Sequence, residues 1–148
     1  MIWLMNKISV VINTFNEEQH IERALNSVKW ADEVVVCDMH SDDKTVQIAK
    51  RQGAKVIYHE RLGYVEPARN RAIKEATGDW LLILDADEAV EPDLAEKLKS
   101  IAATDQADFV EIPRQNWIFG EEKPNYDHLA SNKGPEEAIP DYSFVNYC

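Results

Sequence analysis

Four short apolar runs, each ending in polar residues and each followed by a segment with helical spacing, restrict this chain to a narrow set of folds. The runs are Ile8-Ser9-Val10-Val11-Ile12, residues 33–37, residues 55–59 and Trp80-Leu81-Leu82-Ile83-Leu84-Asp85. Short apolar runs rich in Val, Ile and Leu, without two-residue alternation, are the mark of strands buried on both faces. Between them, Ile21, Leu25 and Val28 recur at helical spacing, with Asn16 expected to cap that helix and Glu17 and Glu18 in its first turn. Residues 45–52 read as a helix stopped by Gly53, and Pro67 opens another that runs through Ala72 and Ala76 until Gly78. Pro92 opens a fourth, with Leu94, Leu98 and Ile101 on one face, and residues 109–112 give a fifth strand. Strand-helix alternation of this kind implies right-handed crossovers. The fold class expected is α/β: a Rossmann-like, mainly parallel sheet with helices on both faces.

In such sheets ligands bind outside the carboxyl ends of the strands. Residues 14–17, 38–43 and 85–87, far apart in sequence, are therefore expected along one edge. Asp85 and Asp87, at i and i+2, are expected to project from one side of an extended backbone. A carboxylate pair suits Mg²⁺ or Mn²⁺, whose remaining positions are filled by water and substrate phosphates. An isolated Asp-x-Asp is most often a polar junction where a strand meets solvent; its place between a strand and a helix is what singles this one out. No glycine-rich dinucleotide or phosphate loop follows a strand, so a phosphate must be held otherwise. In Glu66-Pro67-Ala68-Arg69-Asn70-Arg71, Arg69 can bind phosphate bidentately at a helix start; an ordinary exposed arginine on an amphipathic helix is the other reading, and both stay open.

Composition narrows the partners. A net charge of −11 over 148 residues argues against nucleic acid, whose binding rests on clustered Lys and Arg. Nine acids against two lysines between residues 85 and 111 suit a cation site, and equally a solvated helix face. Cys37 and Cys148 have neither a disulfide framework nor metal-ligand spacing, which points to a reducing compartment. Met1-Ile2-Trp3-Leu4-Met5 is too short for a signal-peptide core, and no run approaches the roughly 18 apolar residues of a membrane span, so a soluble chain without a membrane span is expected. From Asn116 the patterning fails amid Gly120, Pro124, Gly134, Pro135 and Pro140. The expected division is an α/β domain at residues 1–115 and an irregular tail at 116–148, which the resemblance drawn below would make a nucleotide-sugar-binding domain and the start of an acceptor-side region.

Ile8-Ser9-Val10-Val11-Ile12-Asn13-Thr14-Phe15-Asn16-Glu17-Glu18, Val36-Cys37-Asp38-Met39-His40-Ser41-Asp42-Asp43-Lys44-Thr45, Ala68-Arg69-Asn70 and Leu84-Asp85-Ala86-Asp87 resemble the successive blocks of inverting family 2 glycosyltransferases with the GT-A fold. The blocks occur in order and at compatible spacing across about residues 8–103. Ile112-Pro113-Arg114-Gln115-Asn116-Trp117-Ile118-Phe119-Gly120 further resembles the branch containing lipopolysaccharide-core β-glycosyltransferases. The resemblance implies an enzyme of cell-envelope polysaccharide or lipopolysaccharide biosynthesis. It would take a nucleotide-sugar donor, with a UDP-sugar expected, and a glycan or lipid-linked acceptor.

By position, Thr14, Phe15 and Glu17 would contact the nucleoside, Phe15 by ring packing and Glu17 by hydrogen bonding. Asp38 would complete that pocket and Arg69 would approach the diphosphate. Asp85 would face the ribose and the metal, and Asp87 would coordinate Mg²⁺ or Mn²⁺. Inversion needs a base, and Asp141 in Ile139-Pro140-Asp141-Tyr142 is the candidate. Family members normally run longer, so the chain is expected to be C-terminally short; a cytoplasmic location with peripheral attachment at the inner face of the membrane is also implied. Two further readings remain. One is a non-catalytic or truncated nucleotide-sugar-binding module; the other is a Mg²⁺-dependent phosphohydrolase of the haloacid-dehalogenase type, against which the late position of the acidic pair and the following Glu88-Ala89 both count.

Overall fold

The computed structural model describes residues 5–104, 107–113, 116–118, 121–123 and 144–146. In chain order its elements are β1 (Ile8–Thr14), α1 (Ile21–Ser27), β2 (Glu33–Asp38), α2 (Thr45–Arg51), β3 (Lys55–Tyr58), α3 (Glu66–Glu75), β4 (Trp80–Asp85) and α4 (Pro92–Thr104). Short strands β5 (Phe109–Val110), β6 (Asn116–Ile118), β7 (Glu121–Lys123) and β8 (Phe144–Asn146) follow. The main sheet has the order β3-β2-β1-β4-β8-β5; its first four strands are parallel, while β8 is antiparallel to both β4 and β5. β6 and β7 form a separate antiparallel pair.

β1 sits between β2 and β4 and is buried at every position, as its unalternating Val and Ile run requires of a strand covered on both sides. One face carries Val10, Ile12, Val36, Leu82 and Leu84 against Ile21 and Leu25 of α1, Ala49 of α2 and Leu98 of α4. The other face carries Val11, Val35 and Cys37 against Ala68 and Ala72 of α3, whose small side chains let the helix lie close to the sheet. Each fully buried aliphatic side chain contributes roughly 2 kcal/mol relative to exposure. Helices thus cover both faces, as expected from the sequence. No helix among the described residues is long and apolar enough to cross a membrane.

Two expectations fail. The first helix begins at Ile21 with His20 as its cap residue, not after Asn16. Asn16 takes a left-handed backbone (φ 51°) and its side-chain oxygen accepts from the Asp42 amide at 2.8 Å, so a contact with a neighbouring loop replaces the helix cap. The tail expected to be irregular supplies β6, β7 and β8, and β8 pairs with β4 through Trp80↔Asn146 to Leu82↔Phe144. Three-residue strands are too short to show a period of two.

The amino edge of the sheet is closed by a polar knot. Ser9 Oγ donates to Glu33 Oε2 (2.5 Å), the Thr77 amide donates to the same oxygen (2.8 Å), and the Gly78 amide donates to Ser9 Oγ (2.8 Å). Burial pushes the Glu33 carboxyl pKa up, but the hydrogen bonds from Ser9 and from the Thr77 amide and hydroxyl, with the Lys55 charge, outweigh it and hold the value below the ordinary 4.5. A carboxyl whose pKa is depressed by folding contributes stability that is complete above its unfolded value and lost as pH falls through the folded one. Urea midpoints measured between pH 7 and pH 3 are therefore expected to fall below about pH 4.5, and to fall less steeply in Glu33→Gln. Parallel profiles for the two proteins would contradict this assignment.

Candidate functional site

At the carboxyl edge, the β1–α1 and β2–α2 loops are laced together. The Asn16 amide donates to Ser41 Oγ (2.9 Å), the Glu17 amide to Thr45 Oγ1 (2.8 Å), the Glu18 amide to Asp43 Oδ2 (3.1 Å) and the Lys44 amide to Glu18 Oε2 (3.1 Å). Asn16 and His40 are the non-glycine residues with positive φ, at 51° and 60°, among the described residues, and one lies in each of these loops. Left-handed backbone held in two interlocked loops is a mark of a site the surrounding structure fixes in place. Asp43 anchors the second loop. Burial raises its pKa slightly, but hydrogen bonds from the Thr45 hydroxyl and amide and from the Glu18 amide lower it overall.

Thr14 and Asp38 are register partners at the ends of β1 and β2, both fully or nearly fully buried. Asp38 accepts from the Ser41 amide (Oδ2, 2.8 Å) and from Ser41 Oγ (Oδ1, 2.5 Å), which fixes its carboxylate at the sheet edge. Glu17 Oε2 lies 2.8 Å from His20 Nδ1. Phe15 is half-buried and packs against the α3-side core, and the Arg61 guanidinium lies over its ring with Cζ 3.9 Å from the centroid.

On the other side of β1, Asp85 ends β4 opposite Asn13, and Arg69 Nη2 of α3 lies 3.7 Å from Asp85 Oδ1. The strand does not continue to Asp87. The Glu88 amide donates to the Asp85 carbonyl (3.0 Å) and the Asp85 amide to Glu88 Oε2 (2.9 Å), so Asp85 to Glu88 is a hydrogen-bonded turn. The expectation that Asp85 and Asp87 share one side of an extended backbone is corrected: Asp87 stands exposed on the turn, whose carbonyl accepts from Arg23 Nη2 at 2.6 Å.

Thr14, Phe15, Glu17, Asp38, Arg69, Asp85 and Asp87 thus all lie at or beside the carboxyl edge, in two groups flanking the end of β1. Asp141 lies outside the described residues. No group of three or more His, Cys, Asp and Glu among the described residues forms a cage for a metal ion. Two oxygen donors at an open turn fit a hard cation completed by phosphate oxygens and water, as Mg²⁺ and Mn²⁺ accept, and do not fit a structural zinc. A cavity of about 310 Å³ lies elsewhere, at the amino edge between the end of α1 and the start of β2. It lacks the interlocked loops and strained backbone, so the site is placed by its chemistry.

Sequence reasoning singled out neither Arg23 nor Arg61, and gave no individual role to Asn13 or Thr45, or to Ser41 and Asp43, which it placed at the edge only as part of residues 38–43. Asn13 left a signal as a polar side chain near the carboxyl end of a mostly β-branched strand.

Residues 9–145 match the family described as glycosyl transferase family 2. This chain belongs to that family. It is 47% identical over 105 residues to an uncharacterized glycosyltransferase of Rickettsia typhi, an overlap covering 70% of this chain and 36% of that protein. The chain therefore spans little more than a third of that curated relative's length. Staphylococcus aureus TarS, residues 1–349, superposes with a TM-score of 0.68 at 29% identity, covering 80% of this chain and 38% of that one; it has also been solved in complex with UDP. Mycobacterium tuberculosis glucosyl-3-phosphoglycerate synthase, solved with Mn²⁺, UDP and glucosyl-3-phosphoglycerate, gives a TM-score of 0.55 at 28% identity, covering 67% of this chain and 40% of that one. The mainly parallel sheet between helical layers is the GT-A arrangement of these family 2 structures. Membership in the family sets the phosphohydrolase reading aside.

Proposed function

We propose that this chain forms the donor-binding part of a metal-dependent, inverting glycosyltransferase. It moves a sugar from a nucleotide-diphosphate sugar, a UDP-sugar by preference, to a glycan or lipid-linked acceptor. The pathway proposed is cell-envelope polysaccharide or lipopolysaccharide biosynthesis, in the branch of the lipopolysaccharide-core enzymes, and the place is the cytoplasm, with peripheral attachment to the inner face of the membrane. The observation that carries the reading is the gathering of Thr14, Asp38, Arg69 and Asp85 at the carboxyl edge of a family 2 sheet. UDP in the structures of TarS and of the synthase, and Mn²⁺ in the latter, lend it support.

In this reading the laced loops fix the nucleoside. Phe15 offers a ring face to the base, Glu17 and Asp38 offer carboxylates to its hydrogen-bond donors, and Thr14 lines the floor. Arg69 supplies a planar cationic fork to the diphosphate. Asp85 and Asp87 hold Mg²⁺ or Mn²⁺, which when bound supplies Lewis-acid neutralisation of the departing nucleoside diphosphate. Asp141 is the proposed base that takes the acceptor hydroxyl proton.

The test is a calorimetric titration of the full chain with UDP, in Mn²⁺ and again in excess EDTA, followed by an assay of transfer from UDP-sugars. Saturable binding with Mn²⁺ that EDTA weakens is the expected result. Absence of binding by UDP and GDP alike under both conditions overturns the proposal, and binding without turnover on any acceptor favours a non-catalytic module.

A further inference from the structure

Asn13 is 6% exposed, and neither its Oδ1 nor its Nδ2 meets a hydrogen-bond partner among the described residues. A primary amide carries two donor hydrogens and two acceptor sites, so an interior amide with none of them satisfied destabilises the chain that holds it. On the same face of β1, Val11 is a fully buried aliphatic, and Ser9 is a buried polar residue whose hydroxyl is satisfied by Glu33 and the Gly78 amide. A buried amide on that face without such partners among the described residues marks a local rule set aside for another use.

Register shows where that use lies. Asn13 stands directly opposite Asp85 on β4 and Cys37 on β2. Side chains directly opposite each other share a face of the sheet. Cys37 packs on the α3 side, so Asn13 and Asp85 also face α3, the helix that carries Arg69. Asp85 is the solvent-facing end of this row, with its side chain 42% exposed, and its 3.7 Å approach to Arg69 is an ion pair longer than a good hydrogen bond.

We infer that Asn13 is a positioning residue for Asp85, an inference that rests on the donor-site reading above. When a nucleoside diphosphate draws the Arg69 guanidinium onto its phosphates, the Asp85 carboxylate loses that counter-charge and turns toward Asn13, accepting a hydrogen bond from Nδ2–H. The amide left unsatisfied in the unliganded chain is satisfied in the liganded one. Binding is thereby favoured by a group that destabilises the unliganded fold, and Asp85 is held in one orientation while it faces the ligand.

Asn13→Leu keeps the branched skeleton of the side chain and removes both polar atoms. Two shifts of opposite benefit are expected: the unliganded Tm rises by about 3 °C, while affinity for UDP in Mn²⁺ falls about tenfold. In an Asp85→Ala background the same replacement is expected to change affinity by less than about twofold, because the partner it acts through is gone. Asn13→Val, smaller at the same strand position, guards against a packing clash. The inference is overturned if UDP affinity survives both replacements in a chain whose wild type binds UDP. It is equally overturned if the loss persists undiminished without Asp85, or if both variants lose stability as well as affinity, the pattern of a purely structural residue. A wild-type chain that binds neither UDP nor GDP with Mn²⁺ overturns the donor-site reading itself, and this inference with it.

Discussion

Gly78→Ala is expected to lower stability by about 3 kcal/mol, a fall in Tm of roughly 10 °C. A Cβ at this position would lie 2.6 Å from Ser9 Oγ, 2.7 Å from the Ser9 amide nitrogen and 3.0 Å from the Lys7 carbonyl oxygen. Two of those three atoms are backbone and cannot rotate aside. The Lys7 carbonyl is further fixed by hydrogen bonds, accepting from the Asp79 and Trp80 amides at 2.8 and 3.0 Å. Moving Ser9 would also pull apart its bonds to Glu33 and to the Gly78 amide, leaving buried polar atoms unsatisfied. Gly63→Ala is the control: nothing lies within 4 Å of its added Cβ and its φ is not positive, so its denaturation midpoint is expected within about 0.5 kcal/mol of wild type. Equal midpoints for the two variants would show that the close approach at Gly78 can relax.

The reach of each interaction along the chain explains what sequence could and could not convey. β1, β2, β3 and β4 are legible because burial on both faces writes itself as apolar runs, and α3 because Pro67, Ala68 and Ala72 mark a start and a small-residue face. Knowing where strands end is enough to bring Thr14, Asp38 and Asp85 to one edge. The start of α1 was not legible, because the Asn16 side chain chooses between a local cap and a distant loop, and only the fold supplies that loop. β8 takes its place from pairing with β4 and β5, a relation between residues more than 30 apart that three residues cannot encode by themselves. Asp87 was expected beside Asp85 on an extended backbone, but the chain turns immediately after Asp85. Arg61 and Asn13 were hidden for a related reason, since their significance lies in what faces them across a loop or a strand pair.

That turn makes Asp87 the sharpest point at which to separate chemistry from folding. Its side chain is exposed, and the neighbouring hydrogen bonds use backbone or Glu88: Arg23 reaches the Asp87 carbonyl, and Glu88 bonds with Asp85. Asp87→Ala removes none of them, so Tm is expected to stay within about 2 °C of wild type. Function is expected to respond differently. A diphosphate approaching this acidic edge is repelled by the carboxylates unless a cation lies between them, and at separations of a few ångströms that repulsion is worth several kcal/mol near a protein surface. On the proposed metal role of Asp85 and Asp87, Mn²⁺-supported UDP affinity and sugar transfer are each expected to fall on the order of 100-fold. In EDTA the variant is expected to match or slightly exceed the wild type, because a negative charge has been taken from the phosphate's path. The contrast between the two conditions carries the argument: a uniform loss with and without metal would mean Asp87 touches the nucleotide directly, and full retention of Mn²⁺ dependence in Asp87→Ala would move the cation to other residues of the chain.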